Sequence, residues 1–201
     1  MHINPDSSTE QTNLSEQTQS DLELWQRIRL GDVIAFSSLF KSYYIRLYHF
    51  AGRLVRDVQA AENIVQDLFG VLWTERETLQ IRSSLKSYLY ASVKNRSLNY
   101  LRRQQRLVSH EEEPVQMKTY IPDPEEDYLQ KEWETAVHQA INQLPERCRE
   151  IYLMKRYDNL KYQEIAEILN ISVNTVKTQM KRALQTLCKQ LAQFITMFVP
   201  L

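Results

Sequence analysis

The chain has 201 residues, is 43% hydrophobic and 25% charged, and contains Gly 3, Pro 6 and Cys 2. That length holds one medium domain or two small ones; the composition excludes a wholly disordered chain, and so little glycine and proline disfavours a many-turned β fold. Lys+Arg 25 cancels Asp+Glu 25 over the whole chain, yet residues 21–106 hold 14 bases and 8 acids, residues 107–135 hold 2 and 9, and residues 136–201 hold 9 and 5.

Two basic blocks therefore flank an acidic bridge. This layout points towards a polyanionic partner, or, on the plainer reading, towards two solvated domains and a polar linker. No apolar run approaches the roughly 20 residues of a membrane span, and the start lacks the basic-then-apolar order of a secretory signal. Cys148 and Cys188 form neither a disulfide scaffold nor a zinc set, so the expected compartment is the reducing cytoplasm.

Residues 1–20, rich in Ser, Thr, Gln and Asn, read as a disordered tail. From Asp21, Leu22, Trp25, Ile28 and Arg29 fall at helical spacing, and Gly31-Asp32 is a stop and restart. Ala35, Phe36, Leu39, Phe40, Tyr43, Tyr44 and Leu47 form the next helical stripe, which breaks near Arg56-Asp57. A helix from about Val58 to Trp73 places Ile64, Val65, Leu68, Val71 and Leu72 inside and Glu62, Asn63, Gln66 and Asp67 outside. After a polar stretch, a helix from Leu85 to about Arg106 buries Leu85, Leu89, Val93 and Leu98 and shows Lys94, Arg96, Arg102, Arg103 and Arg106.

Residues 107–125 read as an acidic linker, because prolines and the run Glu111-Glu112-Glu113 oppose helix. A helix resumes near Glu126 and runs to Leu144; Pro145 suits a first-turn position of the next, which carries Ile151, Tyr152 and Met154, and two short helices follow. The expected fold is thus all-α: two small helical domains, 21–106 and 126–201, joined by a flexible linker. The apolar tail Phe194 to Val199 either caps the second domain or meets a partner.

The segment LKYQEIAEILNISVNTVKTQMKRALQ (160–185) carries a helix-turn-helix pattern. Ile165, Ala166, Ile168 and Leu169 make one apolar face, with Ala166 small enough for a close crossing. Asn170 tolerates the left-handed backbone of a tight turn. Ser172 is a natural N-cap for the N–H of Asn174 or Thr175. Val173, Val176, Met180, Ala183, Leu184 and Leu187 then form a buried stripe, opposite Asn174, Thr175, Lys177, Thr178, Lys181 and Arg182. That polar face suits a major groove, where amides and hydroxyls reach base edges and cations reach phosphates or guanine. In the first domain, Tyr88, Tyr90 and Tyr100 lie among Lys86, Lys94, Arg96, Arg102 and Arg103. Cations that track a backbone beside aromatic faces can hold a single strand; alternatively the tyrosines are half-buried core and the cations solvated.

Three segments together, AAENIVQDLFGVLW (60–73), SYLYASVKNRSLNYLRR (87–103) and LPERCREIYLMKRYDNLKYQEIAEILNISVNTVKTQMKRAL (144–184), resemble the sigma-70 family of bacterial RNA polymerase initiation factors, in its two-domain extracytoplasmic-function (ECF) group and most closely its Bacteroidetes type. The resemblance spans about Leu22 to Gln190 apart from the linker. It implies that 60–73 docks on the coiled coil of the polymerase β′ subunit through Glu62, Gln66, Asp67 and Phe69. It implies that 82–103 captures the melted −10 element, with Tyr88, Asn95, Asn99, Arg102 and Arg103 on matching positions. The 161–184 segment then reads the −35 element through Ser172, Asn174, Thr175, Lys177, Thr178, Lys181 and Arg182, near the flap of the β subunit. The linker threads towards the RNA exit path, where its charge mimics nucleic acid. A membrane-anchored anti-sigma protein is the implied regulator, and the free factor is a monomer.

Three departures stand out. Asn63 replaces a frequent Asp, Tyr88 a common Trp, and Asn99 a frequent Asp, so the −10 preference does not follow from family averages. No cofactor, metal or catalytic group is expected: there is no GxxxxGK[ST] loop, His2, His49, His110 and His138 are scattered, and the acidic triplet sits in the linker. A stand-alone helix-turn-helix regulator stays open as the alternative, since it binds duplex DNA without polymerase; a DNA-processing enzyme would need clustered carboxylates or a partnered nucleophile. Both thiols read as buried and inert.

Overall fold

The computed structural model describes residues 21–81, 84–107 and 128–198, and all regular structure among them is helical. The tail at 1–20 and nearly all of the 107–125 linker lie outside the described residues. The helices fall into two compact units. The first holds α1 (21–29), α2 (Val33–Val55), α3 (Val58–Thr74) and α4 (Leu85–Leu107); the second holds α5 (Tyr128–Asn142), α6 (Glu146–Arg156), α7 (Tyr162–Leu169) and α8 (Val173–Phe198).

Local chemistry sets the boundaries in the first unit. Gly31 takes a left-handed φ of 85°, which glycine adopts without a Cβ clash. Asp32 then caps α2, accepting from Ile34 N–H at 2.9 Å and Ala35 N–H at 3.0 Å. Those bonds, led by Ala35, together with the Arg27 guanidinium 2.7 Å away, hold its carboxyl below the usual range. Helix α2 ends at Arg56, also left-handed at φ 54°, and Asp57 caps α3 through Ala60 N–H at 3.0 Å.

The core of this unit joins Trp25 and Ile28 of α1, Leu39, Leu47 and Phe50 of α2, Val65, Leu68 and Leu72 of α3, and Leu85, Leu89, Tyr90 and Val93 of α4. The expected stripes hold in large part, but Leu22 and Phe40 are exposed and Val71 is only half-buried. Leu98 is 37% exposed rather than inside, because the stripe of α4 runs through Val93 and Ser97, one position earlier.

In the second unit Pro145 stands at the N-cap of α6, one position before the first turn. Ala140, Ile141, Leu144, Cys148, Ala183 and Leu187 form a shared core of α5, α6 and α8. Helix α8 is long, 26 residues, where a short helix was expected. Its backbone stays helical through Phe198, whereas the side chains from Gln193 onward lie outside the described residues. Leu184 is 48% exposed rather than inside, at the edge of the stripe where it lines an open groove with Tyr162 of α7. Cys148 is buried as expected, but Cys188 is exposed. No helix among the described residues is long and apolar enough to cross a membrane.

Candidate functional sites

Three surfaces carry the residues singled out in the sequence. The first is the outer face of α3, where Gln66 and Asp67 are exposed and Glu62 is half-buried. Gln66 Nε2 donates to Glu62 Oε1 at 3.0 Å, and Gln59 Nε2 to Asn63 Oδ1 at 3.2 Å, so two i,i+4 pairs lie along the helix surface. Phe69 does not share that surface. It is 3% exposed, with ring centroids 4.8 Å from Phe40 and 6.1 Å from Phe36, so it packs beneath that face.

The second surface is one side of α4. Tyr88, Asn95, Asn99 and Arg102 recur at helical spacing with Arg103 beside them; Tyr88 is half-buried and the other four are exposed. The structure separates the three tyrosines of this helix. Tyr90 is 0% exposed, edge-on to Phe50 with centroids 5.1 Å apart. Tyr100 Oη donates to Asp57 Oδ2 at 2.8 Å and accepts from Gln104 Nε2 at 2.9 Å. Burial and the Asp57 carboxylate together push the Tyr100 phenol above its ordinary range. The reciprocal effect on Asp57 is downward, led by Ala60 N–H and then by the Tyr100 hydroxyl. Tyr90 and Tyr100 are thus structural, and Tyr88 alone of the three is placed with the polar stripe.

The third surface is the helix-turn-helix. Asn170 closes α7 in the left-handed conformation, φ 52° and ψ 52°, and Arg147 of α6 donates to the Leu169 carbonyl at that helix end, 3.4 Å. Ser172 Oγ accepts from Thr175 N–H at 3.0 Å and lies 2.8 Å from Thr175 Oγ1. Of the two expected N–H partners, Thr175 is the one used. Thr178 gives its hydroxyl hydrogen to the Asn174 carbonyl at 2.9 Å, which leaves its oxygen lone pairs as acceptors. Asn174, Lys177, Thr178, Lys181 and Arg182 are exposed and Thr175 is half-buried. The opposite side is anchored by buried Val176, Met180, Ala183 and Leu187. Cys148 Sγ donates to Gln179 Oε1 at 3.0 Å, which ties α8 to α6.

Sequence reasoning placed Leu184 in the buried stripe, whereas it is exposed, and it passed over the exposed Gly70 of α3. The helical phase alone would have flagged Gly70, which falls in line with Gln59, Asn63 and Gln66. No group of three or more metal-ligating side chains occurs among the described residues.

Comparison with known proteins gives the same division. Residues 39–107 match the family model for sigma-70 region 2, and residues 134–187 match the model for sigma-70 region 4. The ECF RNA polymerase sigma factor SigW of Bacillus subtilis is 28% identical over 175 residues, covering 83% of this chain and 94% of that protein. The RNA polymerase sigma-H factor of Pseudomonas aeruginosa is 27% identical over 182 residues, covering 86% and 94%. Among solved structures, the sigma factor RpoE of Bartonella quintana, bound to the anti-sigma factor NepR, shares the fold with a TM-score of 0.60 at 21% identity, covering 80% of this chain and 98% of that one. CnrH, solved with the cytosolic domain of CnrY, does so with a TM-score of 0.58 at 19% identity, covering 86% and 97%.

The chain belongs to the sigma-70 family, in its ECF group. Its function is that of a promoter-specific RNA polymerase sigma factor.

Proposed function

We propose that the three surfaces divide the work of initiation. The outer face of α3, carrying Glu62, Gln66 and Asp67 over the buried Phe69, docks on the β′ subunit of core polymerase. The α4 stripe of Tyr88, Asn95, Asn99, Arg102 and Arg103 holds the unpaired strand of the −10 element. The helix-turn-helix reads the −35 duplex through Asn174, Lys177, Thr178, Lys181 and Arg182, with Ser172 and Thr175 fixing the start of α8.

The observation that carries this reading is the α4 stripe. One aromatic face, two amides and two guanidiniums stand along a single side of a helix anchored by Tyr90 and Tyr100. A base stacked on Tyr88 meets amides that both donate and accept, and cations that neutralise the phosphates. Melting follows from capture of bases that have left the stack, so the factor works by binding, without catalysis or nucleotide hydrolysis. Each unit alone binds weakly and with steep salt dependence, and tethering both to polymerase selects elements at the correct spacing.

The likeness to two factors solved with protein partners, one of them a named anti-sigma factor, supports an anti-sigma regulator for this chain, membrane-anchored and competing with polymerase for the same surfaces in the cytoplasm. The direct test is in vitro transcription with sigma-free core polymerase and a genomic promoter library. Starts that depend on this protein, aligned to give two spaced elements, are the expected result; duplex binding with no new starts would overturn it in favour of a stand-alone regulator.

A further inference from the structure

The three glycines of the chain occupy different environments. Gly31 is required by its left-handed turn, and Gly52 is buried in α2. Gly70 is neither. It sits in the body of α3, exposed, and a Cβ built there meets nothing within 4 Å. A glycine inside a helix is destabilising relative to alanine, and no contact among the described residues explains it.

The surroundings of Gly70 explain it from outside. It continues the line of Gln59, Asn63 and Gln66, whose side chains are bonded along the helix in the pairs already described. On its C-terminal side, Thr74 Oγ1 turns back to donate to the Gly70 carbonyl at 2.6 Å. Half-buried Trp73 is covered by the Arg76 guanidinium, 4.6 Å from the ring centroid. The result is a low stretch of helix surface with bare backbone at its centre. The sequence of α3, VQAAENIVQDLFGVLWT, contains Glu62 and Asp67 and no Lys or Arg, so the complementary occupant is basic.

We infer that Gly70 is the point of closest approach for a basic helix of core polymerase lying across α3, and that the missing side chain sets how near the two helix axes come. Axis separations of packed helices run from about 8 to 10 Å according to the side chains at the crossing, and glycine gives the near end of that range. This inference rests on the docking role proposed for α3.

The test uses the full chain and sigma-free core polymerase, with affinity read by fluorescence anisotropy and folding by thermal melting. Gly70→Ala, Gly70→Leu and Gly70→Gln should melt at or above the wild-type temperature, because each is a better helix former. Core binding should weaken about fivefold for Ala and about a hundredfold for both Leu and Gln, since bulk rather than polarity is at issue. A double variant, Glu62→Ala with Asp67→Ala, reports on the docking surface separately. If that double variant loses affinity while Gly70→Leu and Gly70→Gln bind within about twofold of wild type, the close approach is refuted and the docking role stands. If neither set loses affinity, α3 is not the docking surface and both readings fall. Loss in the Gly70 variants with full binding by the double variant would overturn the basic character assigned to the occupant.

Discussion

Tyr100 and Asp57, 43 residues apart in sequence, are joined by a 2.8 Å hydrogen bond from the phenol to the carboxylate that also caps α3. One carboxylate thus fixes the start of the proposed docking helix and the far half of the proposed strand-binding helix. Tyr100→Phe should lower the stability of the first unit by about 1 kcal/mol, the scale of a half-exposed hydrogen bond to a charged acceptor. The Asp57 carboxyl is held below its ordinary value in the fold, so its contribution is present above the unfolded pKa of about 3.9 and is lost as pH falls through the folded value. Wild type and Tyr100→Phe should therefore differ in urea melts at pH 7, begin to converge only below about pH 4, and meet once pH has fallen through the folded value. A constant difference down to pH 2 would place the effect of the substitution in packing instead.

The tyrosines of α4 should separate by phenotype. Tyr90→Ala removes a fully buried ring packed on Phe50 and should destabilise the unit by about 3–5 kcal/mol. Tyr88→Ala should leave the melting curve almost unchanged and reduce promoter opening, measured by permanganate reactivity, while Tyr88→Phe should retain it because the stacking face survives. Equal opening by Tyr88→Ala and wild type would remove Tyr88 from the strand-binding surface.

Ser172 serves the helix before it serves DNA, because its hydroxyl accepts from Thr175 N–H at 3.0 Å. Ser172→Ala should cost the second unit about 1 kcal/mol. Ser172→Asp keeps a capping oxygen and so keeps stability, yet its negative charge should weaken binding to −35 duplex. Parallel melts and duplex titrations separate the two effects; a Ser172→Asp protein that binds duplex as wild type does would place the start of α8 away from the phosphates.

Lys181→Ala and Arg182→Ala should each weaken duplex binding across sequences and reduce the slope of log K against log salt by about 1 if a phosphate contact is lost. Asn99→Ala should instead spare duplex affinity and impair opening. If all three variants lose both activities equally, the division between α4 and α8 is wrong.

Much of this was legible in the linear sequence, for a local reason. Helical periodicity, the Gly31-Asp32 and Arg56-Asp57 breaks, the left-handed Asn170 and the Ser172 cap depend on residues within one or two turns of each other. The polar faces of α3, α4 and α8 follow from the same periodicity. Tertiary structure decided what lies at the margins of each stripe: Phe69 beneath its face rather than on it, Leu98, Leu184 and Cys188 outside, and Tyr90 within the core. Whether a residue at the edge of an apolar stripe is covered depends on which neighbouring helix crosses there and at what distance, which the residue's own helix does not encode. The Tyr100–Asp57 bond is the same case. Sequence placed a tyrosine on α4 and a cap on α3, and only the packing of the two helices brought phenol and carboxylate together, turning a candidate base-stacking residue into a structural one.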